Sequence, residues 1–206
     1  MDKIPFDPYD IFGYLAAGLL VMVGMDVLFG FPHVIGADLK LVEGGVVVLM
    51  AYIAGQLVAG PSRLLLETLL VGKLLKRPSV NLLRKKRPWV RWLLFPGYFE
   101  ALPGPIADRV LDKARAAGIS EPGEAMFVHI RFADETLANE RLMKKLDAFV
   151  AKYGFSRNLA FTSLALAAAF FVKNRIAPSP ELVKYGATAA VGGVLLLYRY
   201  LKFFRQ

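Results

Sequence analysis

Two long apolar runs lie in the first third of the chain. Ile11 to Ala37 covers 27 residues with Asp26 as its one formal charge, and Gly44 to Ser62 gives 19 residues with none. About 20 apolar residues cross a hydrocarbon core as a helix, so both runs are predicted to be transmembrane helices. Two shorter runs follow near the far end: Asn158 to Val172, 15 residues, and Tyr185 to Tyr198, 14 residues. Arg157, Lys173 and Arg175 flank the first of these, and their long stems can carry the charge to the interfaces. The Ala-Pro-Ser-Pro turn at 177–180 suits a tight hairpin between antiparallel spans. The expected fold is all-α and integral to the membrane. It has four transmembrane helices and a helical cytoplasmic segment inserted between helices 2 and 3.

Composition sharpens this picture. Of the 206 residues, 56% are hydrophobic and 21% are charged, and mean hydropathy is +0.45. Such values exclude a disordered chain and an ordinary soluble enzyme, because apolar and charged residues must be segregated. With no cysteine, disulfides, thiolate nucleophiles and Cys-ligated metals are excluded as well. The acidic opening, Met-Asp-Lys-Ile-Pro-Phe-Asp, lacks the basic start of a signal peptide, so the first span is expected to be retained.

Basic residues set the expected orientation. With four spans, 22 Lys and Arg fall on one face and 4 on the other. The positive-inside rule then puts both termini and the long connection in the cytoplasm, with the chain in a bacterial inner membrane. Net charge is −4 over residues 1–60, +8 over 61–157 and +5 over 158–206. The natural counter-charge is the anionic inner leaflet.

The chain divides accordingly into a first hairpin (9–60), a basic and aromatic interfacial segment (61–102), a cytoplasmic helical segment (103–153) and a second hairpin with a basic tail (154–206). After Pro61, Ser62 is the expected N-cap of a helix over 63–76. That helix either continues the second span with a kink or lies in the interface. Between Glu67 and Glu100 the chain has eight basic residues and no acidic one. Arg84, Lys85, Lys86, Arg87, Trp89, Arg91 and Trp92 make up its basic and aromatic core. In a membrane-anchored chain such a belt reads first as lipid-headgroup contact, next as a surface for a soluble protein partner, and last as a nucleic-acid patch. Past Pro103-Gly104-Pro105, three amphipathic helices are expected. One ends at Gly118, one runs through Met126 to Ile130, and one from Asp134 to Tyr153.

Few residues carry candidate chemistry. Asp26 lies about 24 Å along the first helix from Asp10, and Glu43 starts the second span at a similar depth. As ionisable groups near the outer end of an oligomer, Asp26 and Glu43 are candidates for an ion path, with Gln56 further along it. The plainer reading of Asp26 is a local pair with Lys173, Arg175 or Lys184, and of Gln56 a hydrogen bond between helices. Small residues at spacing four, Ala51, Gly55 and Ala59 in the second span and Ala189 and Gly193 in the fourth, mark close helix packing, within the chain or between copies. His129 and Asp134 match the His-x4-Asp spacing of glycerolipid acyltransferases, in which His deprotonates a hydroxyl. The acyl-acceptor motif that family carries downstream is missing. No phosphate loop, paired-His metal site or nucleophile elbow is present, and no cofactor or metal is expected.

Pro-Tyr-Asp-Ile-Phe-Gly-Tyr-Leu (8–15), Phe-Pro-Gly-Tyr-Phe (95–99) and Tyr-Gly-Phe-Ser-Arg-Asn (153–158) resemble segments of small multi-pass bacterial membrane proteins of uncharacterised activity. The architecture is also similar to membrane effectors of bacterial anti-phage systems. That resemblance implies a non-enzymatic, self-associating protein that forms or gates a pore. The alternatives from other classes are a membrane anchor recruiting a soluble protein through residues 103–153, and a lipid-modifying enzyme using His129 and Asp134.

Overall fold

The computed structural model describes residues 8–30, 34, 40–75, 83, 98–99, 101–116, 118–119 and 140–203. Among them the chain is helical with no strand. The elements are α1 (Pro8–Phe29), α2 (Leu41–Ser62), a π-helical segment (Arg63–Leu75), α3 (Gly104–Ala116), α4 (Glu140–Ile176) and α5 (Pro180–Phe203). Among the described residues three stretches are long and apolar enough to cross a membrane: Ile11–Phe29, Leu41–Leu75 and Lys152–Ile176. α5 is 24 residues long but is not among them. Lys184 near its start and Arg199 and Lys202 near its end bracket a shorter apolar run.

Of the two readings of the segment after Pro61, the structure has the continuation: Pro61 lies inside a continuous helix, and the second apolar stretch runs on into the π-helical segment without a Ser62 cap. Proline removes one backbone donor and crowds the carbonyl four residues back, yet α2 keeps its helical path through Pro61 to Ser62. The helix expected to end near Tyr153 and the span expected from Asn158 are likewise one helix of 37 residues. No proline interrupts residues 140–176, and a Cβ on Gly154 would meet open space.

The chain forms two compact units. The first comprises residues 1–67 and 150–200. In it α1 and α2 touch through their backbones: Ala17 and Ala51 are fully buried. A Cβ on Gly18 would overlap the Ala51 carbonyl, and one on Gly55 would overlap the Tyr14 carbonyl. Tyr14 and Tyr52 meet edge to face at 6.0 Å beside this contact. α4 and α5 pack through Leu166, Phe170 and Leu182, joined by Leu20, Val27 and Leu28 of α1 and by Ala189. A Cβ on Gly193 would come within 2.8 Å of Leu164 Cδ2. Such glycine and alanine contacts let helices approach where lipid offers no hydrophobic drive.

The second unit comprises residues 68–149 and 201–206, and Val71, Leu75, Tyr98, Phe99, Ala114 and Leu201 are buried. α3 begins with the amides of Ile106 and Ala107 on the Pro103 carbonyl. It closes at Gly118, whose φ of 77° suits glycine, with Ile119 N–H donating to the Ala114 carbonyl.

Candidate functional site

Buried polar groups concentrate in the first unit where α2 passes into the π-helical segment beside α4. Arg157 Nη1 donates to Glu67 Oε2 at 2.7 Å, and Arg157 Nε and Nη2 each lie 3.3 Å from Asn158 Oδ1. Ser62 Oγ is 2.6 Å from the same Asn158 oxygen and 3.0 Å from the Ala59 carbonyl, so its single proton is shared between two acceptors. Thr162 Oγ1 donates to the Asn158 carbonyl at 2.9 Å. The Arg157 guanidinium also lies 5.6 Å from the Tyr153 ring centre. Tyr153 stacks on Tyr200 at 5.0 Å, and the Tyr200 hydroxyl donates to the Tyr153 hydroxyl at 3.4 Å.

Helical spacing builds half of this cluster. Tyr153 and Arg157 are four residues apart on α4, as are Asn158 and Thr162, so each pair shares a face. The other half arrives from 90 or more residues away, through Ser62 and Glu67. Burial makes the bonds matter. The Arg157 side chain is 12% exposed and that of Glu67 32%, and buried charges and hydroxyls are costly unless paired. Arg63, 3.9 Å from Glu67, is a secondary partner. Chemically the cluster holds and does not activate. The Ser62 hydroxyl points at an amide oxygen, which has no basicity with which to take its proton.

The ion-path candidates sit elsewhere and in local roles. Asp26 is buried. Its Oδ2 accepts the Val34 N–H at 2.7 Å while its carbonyl accepts the Gly30 N–H, so the carboxylate clasps the turn leaving α1. Gly30, with φ of 74°, ends that helix. Glu43 is exposed, and its Oε2 accepts the Lys40 N–H at 3.0 Å. This is the returning half of a capping box, since a lysine at the cap has no acceptor of its own. Gln56 is exposed and donates to the Tyr52 hydroxyl at 3.0 Å. Thirteen residues, about 20 Å of helix, separate it from Glu43. Of the cations considered as partners of Asp26, Lys173 donates to the Leu28 carbonyl in the last turn of α1, where the helix dipole favours a positive charge. Lys184 pairs with Glu181 at 2.9 Å.

Among the small residues, Ala51 and Gly55 are spent against α1, and Ala189 and Gly193 between α4 and α5. The Ala59 carbonyl accepts from Ser62. Arg84, Lys85, Lys86, Arg87, Trp89, Arg91 and Trp92, together with His129 and Asp134, lie outside the described residues. Among the described residues no group of three His, Asp or Glu side chains is placed to hold a metal.

Comparison with known proteins finds no matching family model, no matching curated protein and no matching solved structure.

Proposed function

We propose that this chain is a four-span inner-membrane protein, with both termini cytoplasmic, that self-associates through α2 and forms or gates a pore. The observation that carries the reading is Gln56. Of residues 41–61 only Ala51 and Gly55 are buried within the chain, and the outer stripe of Leu49, Ile53 and Leu57 is exposed. Gln56 lies on that same stripe. In hydrocarbon a carboxamide needs partners, and Tyr52 takes one of its N–H groups. The second N–H and the carbonyl oxygen suit a hydrogen bond to the α2 helix of a neighbouring copy. α5 also has exposed apolar residues, Val191, Val194 and Leu195, but the carboxamide of Gln56 on the exposed stripe of α2 makes α2 the helix proposed for assembly.

Light scattering of the purified protein, corrected for bound detergent, tests this. A discrete oligomer is expected, and Gln56→Leu is expected to weaken association about 3- to 20-fold per contact, the range measured for such bonds in membranes. A wild-type protein that stays monomeric at every concentration refutes the reading. Ion flux through liposomes holding the oligomer tests the pore itself.

A further inference from the structure

The buried positions of the segment that follows α2 do not repeat as an α-helix repeats. Ser62, Leu66, Val71 and Leu75 are the buried ones, at steps of 4, 5 and 4, whereas an α-helical face repeats at steps of 3 and 4. That longer period belongs to a π-helix, whose hydrogen bonds run from i to i+5, and residues 63–75 are wound as one. A π-helix of 13 residues is unusual, since most occur as single-turn bulges at functional sites.

The same sequence can also be wound as an α-helix. Leucine or valine occupies positions 64, 65, 66, 69, 70, 71, 74 and 75, so either winding has apolar side chains to bury. At about 100° per residue, α winding would put Leu69 and Lys73 on the side of Ser62 and carry Val71 about half a turn away. The junction itself is still α-like, because the Arg63 N–H bonds to the carbonyls of Ala59 and Gly60, four and three residues back, so the π winding sets in beyond it. The polar cluster holds the segment where the winding changes: Ser62 on Asn158 at its start, and Glu67 on Arg157 one turn later.

We propose that residues 63–75 are a winding switch with π and α registers, latched in the π register by the Glu67–Arg157 and Ser62–Asn158 bonds. Releasing the latch rewinds the segment, turning Val71 and Leu75 out and Leu69 and Lys73 in relative to Ser62.

The absence of cysteine from the chain makes a clean test available. A nitroxide is attached at single cysteines introduced one at a time from 64 to 75, Glu67 excepted, in the full-length protein in liposomes, and its mobility is read from the spectral lineshape. In the wild-type background the expected mobility minima are at 66, 71 and 75. In Arg157→Met they are expected to move to 66, 69 and 73, and the charge swap Glu67→Arg with Arg157→Glu is expected to restore the first pattern. Glu67→Gln serves as a second release variant should Arg157→Met fail to fold, with folding followed by circular dichroism. Wild-type minima at α-helical spacing overturn the proposal. So does a folded release variant that keeps the 66, 71, 75 pattern.

Discussion

Arg157 reaches Glu67 at 2.7 Å across 90 residues of sequence, and the two groups are unequally buried. Only 12% of the arginine side chain meets solvent, against 32% of the glutamate. Charge pairs that are partly exposed contribute less than fully buried ones, but removing one partner strands the other.

The inequality predicts an order. Glu67→Gln strands the more buried guanidinium and is expected to destabilise by about 2–3 kcal/mol, while Arg157→Gln leaves a carboxylate that still has Arg63 and is expected to cost about 1–2 kcal/mol. The double variant should lose less than the sum of the two. Thermal unfolding in detergent, arranged as a double-mutant cycle, measures all three.

The glycines of the first hairpin separate by sign. Gly18→Ala and Gly55→Ala each drive a methyl into a facing carbonyl and are expected to destabilise by about 1–3 kcal/mol or more. Gly45→Ala meets open space in a helical position, and should stabilise by about 0.5–1 kcal/mol. Fluorescence-detected gel filtration after heating ranks the variants.

Asp26 distinguishes a clasp from an ion ligand. Asp26→Asn retains an oxygen for the Val34 amide and is expected to be milder than Asp26→Ala, which orphans that N–H at about 1–3 kcal/mol. If the proposed pore forms, its conductance should survive Asp26→Asn in folded protein. Unfolding temperature and liposome flux are read on the same samples.

Tyr52 and Gln56 are expected to act in opposite directions. Tyr52→Phe removes the intrahelical acceptor of the amide and should hold or strengthen association by releasing an N–H. Gln56→Leu should weaken it. Detergent-corrected light scattering over a concentration series reads both.

The apolar helices were legible in the sequence because bilayer thickness imposes a length, and Ile11–Phe29 and Leu41–Leu75 satisfy it with few charges. Ala51 and Gly55 were legible as a packing stripe. Their partner Gly18 was not, since α1 offers several small residues and the facing register is a tertiary fact. Pro61 left two readings open, a continued span or a new helix, because proline weakens a helix without always ending it, and the structure has the continued one. The 4, 5, 4 spacing was hidden because nearly every position from 64 to 75 is apolar, leaving no polar face to reveal the period. Tyr153, Arg157 and Asn158 stand together in one short run. Nothing local links that run to Ser62 and Glu67, and the one hint was that Glu67 is the sole acidic residue between Glu43 and Glu100.

The distance along the chain between Ser62 and Asn158 also sets a clock. All contacts between α1 and α2 lie within residues 8–62, so that hairpin can assemble as soon as it leaves the ribosome. Asn158 is made 96 residues after Ser62, which at about 5–20 residues per second is a wait of about 5–20 s. During that wait Ser62 and Glu67 need interim partners, and the structure supplies both from the same helix: the Ala59 carbonyl for the hydroxyl and Arg63 for the carboxylate. The nascent hairpin thus carries its own chaperoning contacts, which α4 joins and does not replace when that helix is synthesised.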